Sequence, residues 1–265
     1  MKAREIKGRM RGLEQTLAIT QAMQTVAAAK IAPSQTKYAL AQKYRDGLTD
    51  FCKKAGVKNH FTEKRECKKV LLLVVSSDRG LCGGYNSGVK AAFSKIDFQS
   101  IAKVCFLGKD VATEADMPIA ENVFFEEEKD LYKRAVRFGE FAFSEYQNEK
   151  CDSVSILAYD CQKSGMPTQK IVLPLSLENK IAKEYEIEIE KDEEITKRLL
   201  IAEIYLSLCS AAVVENVTRM AAMKMATSNG QEMLDDLAMA FNRVRQNEIT
   251  SELNDSVNAL RSKEI

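Results

Sequence analysis

Residues 195–265 read ITKRLLIAEIYLSLCSAAVVENVTRMAAMKMATSNGQEMLDDLAMAFNRVRQNEITSELNDSVNALRSKEI, with no proline and with Gly230 as the only glycine. The residues that normally interrupt a helix are missing, so one uninterrupted helix is expected. At 1.5 Å per residue it would be roughly 100 Å long. A domain of ordinary size cannot enclose such a rod, so it needs support from elsewhere in the chain or from a partner. Leu199, Leu200, Leu206 and Leu208 open its apolar stripe. Leu234, Leu237, Phe241 and Val244 step by three, four and three, and Ile249, Leu253, Val257 and Leu260 carry the stripe to the end.

The opposite end of the chain supplies a mate. Residues 3–55 read as a second long helix, in which Ile6, Met10, Leu13 and Leu17 recur at coiled-coil spacing. The small residues of Ala22-Met23-Gln24-Thr25-Val26-Ala27-Ala28-Ala29 allow close approach. Pro33 predicts a kink or local break, and Gly56 a stop. Paired from a common start, the C-terminal rod would outrun its mate from Ser228 onward. Met220, Met223, Met225, Met233 and Met239 are expected mainly to pack on the first helix, the remainder facing a partner.

Between the helices the texture changes. Val70-Leu71-Leu72-Leu73-Val74-Val75 is a short apolar run, expected as a strand buried on both faces. The glycine-bearing loop Ser76–Asn86 follows, with Asn86 or Ser87 as the expected cap of a helix reaching Ile96. Further strands are expected at Ile101–Gly108, Val123–Phe125, Val154–Tyr159, Ile171–Leu175 and Glu184–Glu190, and a helix at Glu128–Asn148. The fold class is α/β: an antiparallel coiled coil of long N- and C-terminal helices with an inserted Rossmann-like α/β domain. The expected segments are 1–56, 67–190 and 195–265.

Composition narrows the function. Lys plus Arg number 39 against 38 Asp plus Glu, which gives no overall pull toward nucleic acid or anionic lipid. No run of eighteen apolar residues suggests a membrane span, and Met1–Glu5 does not open a secretory signal. Cys52, Cys67, Cys82, Cys105, Cys151, Cys161 and Cys209 stand singly, and His60 is the only histidine. This pattern favours reduced thiols, with Cys105 and Cys209 as core filler, and argues against a metal site. No cofactor is expected. Gly80-Leu81-Cys82-Gly83-Gly84 matches neither GxGxxG nor the Walker pattern, so a tight turn is favoured over phosphate binding. A nucleotide-binding α/β enzyme with coiled-coil dimerisation arms is the alternative, and a structural coiled-coil adaptor a third reading. Arg245, Gln246, Ile249, Thr250 and Glu252 place polar groups within two turns of the rod, either a mixed surface or a directional grip on a partner loop.

Three segments resemble the gamma subunit of the F-type, proton-translocating ATP synthase: IKGRMRGLEQTLAITQAMQTVAAAKI (6–31), SSDRGLCGGYN (76–86), and RMAAMKMATSNG (219–230) continuing to FNRVRQNEITSEL (241–253). The resemblance implies a non-catalytic rotor shaft. Its paired helices would stand in a ring of three alpha and three beta subunits, with the α/β domain near the c-ring and epsilon, and delta reached only indirectly. The complex would sit on the cytoplasmic face of the bacterial inner membrane. Arg245, Gln246, Thr250 and Glu252 would meet a beta-subunit loop, and Leu253, Val257 and Leu260 an apolar collar. Lys30, Tyr44, Tyr205 and Ser210 would belong to the foot near the c-ring. Gln21 and Thr25 depart from the family's usual lysine and frequent methionine.

Overall fold

A computed structural model describes residues 3–57, 61–62, 69–108, 122–124, 130–163, 165–175 and 192–261. His60, Cys67 and the strand expected at Glu184–Glu190 lie outside them. The chain forms two compact units, Ala28–Arg219 and Met1–Ala27 with Met220–Ile265. Two long helices contribute to both, α1 (Ala3–Lys54) and α4 (Asp192–Arg261).

The larger unit is built on a five-stranded sheet. Its strands are β1 (Val70–Val75), β2 (Ile101–Leu107), β3 (Asn122–Phe124), β4 (Ser153–Ala158) and β5 (Thr168–Leu173), in the order β3-β2-β1-β4-β5. The first four are parallel, and β5 pairs antiparallel to β4. β1 lies at the centre and is covered on both faces, which explains its unbroken apolar run. Alternate side chains take opposite faces. Leu71, Leu73 and Val75 join Ala135, Phe138, Ala142 and Tyr146 of α3 (Leu131–Gln147), together with Leu199, Leu200, Ile204 and Leu208 of α4 and Cys52 of α1. Leu72 and Val74 pack instead with Tyr85, Val89 and Phe93 of α2 (Tyr85–Phe93). Each fully buried leucine in these clusters contributes about 1.5–3 kcal/mol by leaving water.

The ends of these elements follow local chemistry. Asp130 caps α3, its carboxylate accepting from the Tyr132 N–H at 2.8 Å, so the helix begins later than Glu128. α1 stops where expected. Gly56 has φ +65°, its N–H donates to the Lys53 carbonyl, and the Val57 N–H reaches the Cys52 carbonyl at 3.1 Å. That is the paired closure a left-handed residue allows. One expectation fails. Neither Asn86 nor Ser87 caps α2. Gly84 holds that position without a side-chain bond, because Asn86 is buried and its carboxamide accepts from the Ser77 N–H. Of the kink or local break expected at Pro33, the break is absent, since α1 is helical from Ala3 to Lys54. One lost backbone bond is a local cost in a helix held by a partner. Beside it Asn216 Nδ2 of α4 donates to Ser34 Oγ at 3.2 Å.

In this unit Arg45 Nη1 of α1 meets Glu203 Oε1 of α4 at 2.9 Å. Taken with Ser34 and Asn216, the pair shows the helices running antiparallel. One window of α4 is long and apolar enough to cross a membrane, but half of it is buried within the protein. Leu199, Leu200, Ile204, Leu208 and Ala211 account for that apolarity as core residues.

The smaller unit pairs the start of α1 with the end of α4, also antiparallel. Thr227 Oγ1 donates to Thr20 Oγ1 at 3.0 Å, and the Ala3 N–H reaches Glu248 Oε1 at 3.5 Å. Ile6, Leu17 and Ala27 are buried, with Met10 and Leu13 half-buried, so the seam lies where the heptad spacing put it. Gly230 brings the backbones close, since a Cβ there would lie 2.6 Å from Leu17 Cδ2. The bare end is shorter than expected. The mate reaches Glu248 rather than stopping at Ser228, because helices of equal rise in this register place residue 3 opposite the mid-240s, within reach of the Glu248 side chain. Of the methionines, Met223 is buried and Met220 half-buried. Met225, Met233 and Met239 are exposed, so packing on α1 does not account for most of them.

Gly108 closes β2 at φ +106°, and a Cβ there would overlap the Ser76 carbonyl oxygen, a backbone atom that cannot turn aside. Gly108→Ala is expected to destabilise the larger unit by about 3 kcal/mol, lowering its melting temperature by roughly 6–12 °C in a calorimetric or dichroism scan.

Candidate functional site

In a doubly wound sheet, ligands bind outside the C-terminal ends of the strands, where the strand order reverses. Here that place lies between β1 and β4, and the loop Ser76–Gly84 leaves β1 into it. The loop's polar groups are already engaged. Ser77 is fully buried, and its Oγ lies 2.8 Å from both Glu215 Oε1 and the Arg79 carbonyl. Arg219 Nη2 donates to Ser77 Oγ at 3.0 Å and to the Arg79 carbonyl at 3.1 Å, while its Nη1 meets Glu215 Oε1 at 2.7 Å. Asp78 accepts from Arg134 Nη2 of α3 at 2.9 Å. The loop therefore holds two helices, α3 and α4. The charge-assisted bonds of buried Ser77 to Arg219 and Glu215 contribute about 1.5–3 kcal/mol each, and the Asp78 pair, whose carboxylate is open to solvent, contributes less.

The start of α2 is closed as well. Tyr85 stacks on Tyr159 with ring centroids 4.7 Å apart, and Tyr159 stands against Gly88 in the first turn. Burial holds the Tyr85 hydroxyl well above its ordinary pKa, with Glu215 adding to the effect. Burial likewise raises the Cys82 thiol, which therefore stays protonated at neutral pH and is a poor nucleophile. Leu81 at φ 60° and Gly83 at φ 60° make the tight turn that these contacts require. Among the described residues no cluster of His, Cys, Asp or Glu has the grouping of a metal site.

The residues expected at the foot divide by exposure. Lys30 and Tyr44 lie on the surface of α1. Tyr205 is half-buried, its ring edge-on to Tyr132 at 5.4 Å. Burial, and then the bond to Cys209, push its hydroxyl up to about 12. Ser210 is buried, and its Oγ accepts from the Cys161 N–H at 2.7 Å, so it braces the turn after β4. It borders a cleft of about 260 Å³ with Tyr38, Arg45 and Lys170. Glu203 pairs with both cations, at 2.9 Å to Arg45 and 2.6 Å to Lys170, which leaves the cleft little unspent charge.

In the smaller unit, Arg245, Gln246, Thr250 and Glu252 are all exposed. The Thr250 hydroxyl bonds back to the Gln246 carbonyl at 2.9 Å, leaving the other three side chains available. Ile249, Leu253 and Val257 are 45, 62 and 47 % exposed, an apolar stripe left uncovered among the described residues. Leu260 lies in the last turns of α4, and its side chain is outside the described residues. The residues that sequence reasoning missed are Ser77, Glu215 and Arg219. Ser77 and Arg219 stood in quoted motifs, but nothing in a linear pattern signals a pairing across 142 residues.

Two long antiparallel helices with an inserted Rossmann-like unit, whose switch point is spent on holding a helix, define a mechanical subunit. A model of the ATP synthase family matches residues 2–261. The chain is 30% identical to the ATP synthase gamma chain of Syntrophus aciditrophicus over 292 residues, covering 96% of each, and 30% identical to that of Brevibacillus brevis over 276 residues with the same coverage. The chain belongs to the ATP synthase gamma chain family. Its fold is similar to a chain of the Euglena gracilis mitochondrial ATP synthase, OSCP/F1/c-ring, with a TM-score of 0.71 at 14% identity, covering 98% of this chain and 94% of that one. It is also similar to a chain of the Tetrahymena thermophila central stalk/c-ring, with a TM-score of 0.59 at 17% identity, covering 78% and 99%.

Equilibrium dialysis of the isolated chain against ATP is expected to show no micromolar binding. Saturable binding abolished by substitution within Ser76–Asn86 would restore the enzyme alternative.

Proposed function

We propose that this chain is the central-stalk shaft of an F-type ATP synthase, coupling proton-driven c-ring rotation to ATP synthesis or hydrolysis in an alpha/beta ring. The observation that carries this reading is the seam of the smaller unit and its bare end. Ala3 reaches Glu248, yet α4 continues to Arg261 with Leu253 and Val257 uncovered. An unpaired amphipathic helix end is unfavourable in water and suited to an apolar collar in a partner. Arg245, Gln246 and Glu252 stand just before it, free to grip a beta-subunit loop.

The subunit is non-catalytic. A shaft works by differential affinity: each of its faces stabilises one beta-subunit conformation over another, so turning it shifts the populations in sequence. Lys30, Tyr44, Tyr205 and Ser210 belong to a foot that meets the c-ring and epsilon, with delta reached only indirectly. The segments 1–56, 67–190 and 195–265 serve as first shaft helix, drive domain and second shaft helix. The complex lies on the cytoplasmic face of the inner membrane, and this chain meets the membrane only through it.

Affinity purification on a tag attached to this chain should recover alpha and beta subunits in threefold excess over it; recovery of the chain alone would sink the assignment. Arg245→Ala with Gln246→Ala should lower ATP turnover of the assembled complex roughly tenfold, the factor that about 1.4 kcal/mol of lost differential binding sets. The isolated variant should keep its helical dichroism. Unchanged turnover would remove the role given to that patch.

A further inference from the structure

Glu215 and Arg219 lie one turn apart on a single face of α4, and both converge on Ser77 in the loop after β1. We propose that this trio is a torsional key: it fixes the azimuth of α4 against the sheet, so that rotation imposed on the α/β unit enters the helix without slip. The proposal rests on the shaft reading.

Apolar packing alone would hold this junction loosely in the sense that matters. The hydrophobic effect is non-directional and resists separation more than rolling. Within the cluster on the α2 face of the sheet, Val214 is the α4 side chain that packs. Leu199, Leu200, Ile204, Leu208 and Ala211 of α4 pack in the cluster on the other face, so apolar contacts seat the helix, and beside Val214 the polar trio adds the directional bonds that fix its azimuth. Arg219 spreads one guanidinium over Ser77 Oγ and the Arg79 carbonyl, and Glu215 takes the Ser77 hydroxyl from the preceding turn. Because one residue of helix is 100° of rotation, a roll of that size would strand both charges against buried groups. Ion-pair clusters of this kind are best attested as devices that fix register.

The loop itself is anchored away from α4. The Ser77 N–H donates to Asn86 Oδ1 at 3.0 Å at the start of α2, and Asp78 bonds Arg134 of α3. The key is therefore seated in the sheet's own framework, not on a free strand of loop. Ser77 is fully buried and its hydroxyl is already bonded to Glu215 and the Arg79 carbonyl, so its serine–glutamate–arginine grouping is positional and not nucleophilic.

The test uses the assembled complex with Arg219→Met, Glu215→Gln, Ser77→Ala and the conservative Arg219→Lys. Two quantities are read per assembled complex: the ratio of ATP-driven proton pumping to ATP hydrolysis, and the width of the angular fluctuation of a probe on the c-ring with the alpha/beta ring fixed to a surface. Arg219→Met should widen the fluctuation and lower the ratio by about twofold or more, with hydrolysis itself little changed. Arg219→Lys, which keeps the charge and loses the fork, should fall between. A role in folding alone would lower the yield of complex and leave both readings untouched, and that outcome overturns the key. Should Arg219→Met fail to assemble, Ser77→Ala, which removes one hydroxyl, decides by the same two readings. Failure of alpha and beta subunits to co-purify with the unaltered chain would sink the shaft reading itself. Normal co-purification with unchanged stiffness would sink only the key.

Discussion

The antiparallel seam between the two ends of the chain is the interaction on which the other features depend. In the smaller unit Ile6, Leu17 and Gly230 lie in it, and in the larger one Ser34 with Asn216 and Arg45 with Glu203 mark the same direction. These partners stand far apart in sequence. Yet the entropy of closing so long a loop grows only with the logarithm of its length, so a well-packed seam can bear it. The inserted sheet helps, since a folded insert shortens the effective loop. Helices as long as α1 and α4 gain most of their stability from such packing and little from intrinsic propensity.

The loop after β1 shows how the same chemistry can serve opposite ends. Glycines between a parallel strand and a helix, with an arginine and free backbone groups nearby, are what a phosphate cradle needs. Here Arg219 and Glu215 of α4 occupy the loop's polar groups, and the Tyr85–Tyr159 stack covers the first turn of α2. The loop is a socket for a helix, mounted on a central strand that is buried on both faces.

Surface chemistry divides along comparable lines. Several charges of the larger unit are paired internally: Glu203 with Arg45 and Lys170 beside the cleft, and Asp78 with Arg134 in the loop after β1. Toward the end of α4 in the smaller unit, Arg245, Gln246 and Glu252 stay exposed beside uncovered apolar side chains. Internal pairing suits a part that must keep its shape, and unspent polar groups suit one that must engage and release partners.

Much of this was legible in the residue pattern. The absence of proline and glycine announced α4, heptad spacing announced the α1 seam, and the unbroken run Val70–Val75 announced a central strand, because each follows from local sterics and the periodicity of burial. The exposed residues at the end of α4 were also readable as candidates. Other features depended on packing. Pro33 stays inside a continuous helix because a partner holds it, Asn86 gives up its capping role to bind Ser77, and Ser210 turns inward to Cys161. The register that brings Ala3 to Glu248 set the length of the bare end. The sequence by itself determined which segments are helix or strand and which faces are apolar. Only the tertiary structure decided which polar groups are spent holding the fold, since that depends on distances between residues that the linear order leaves far apart.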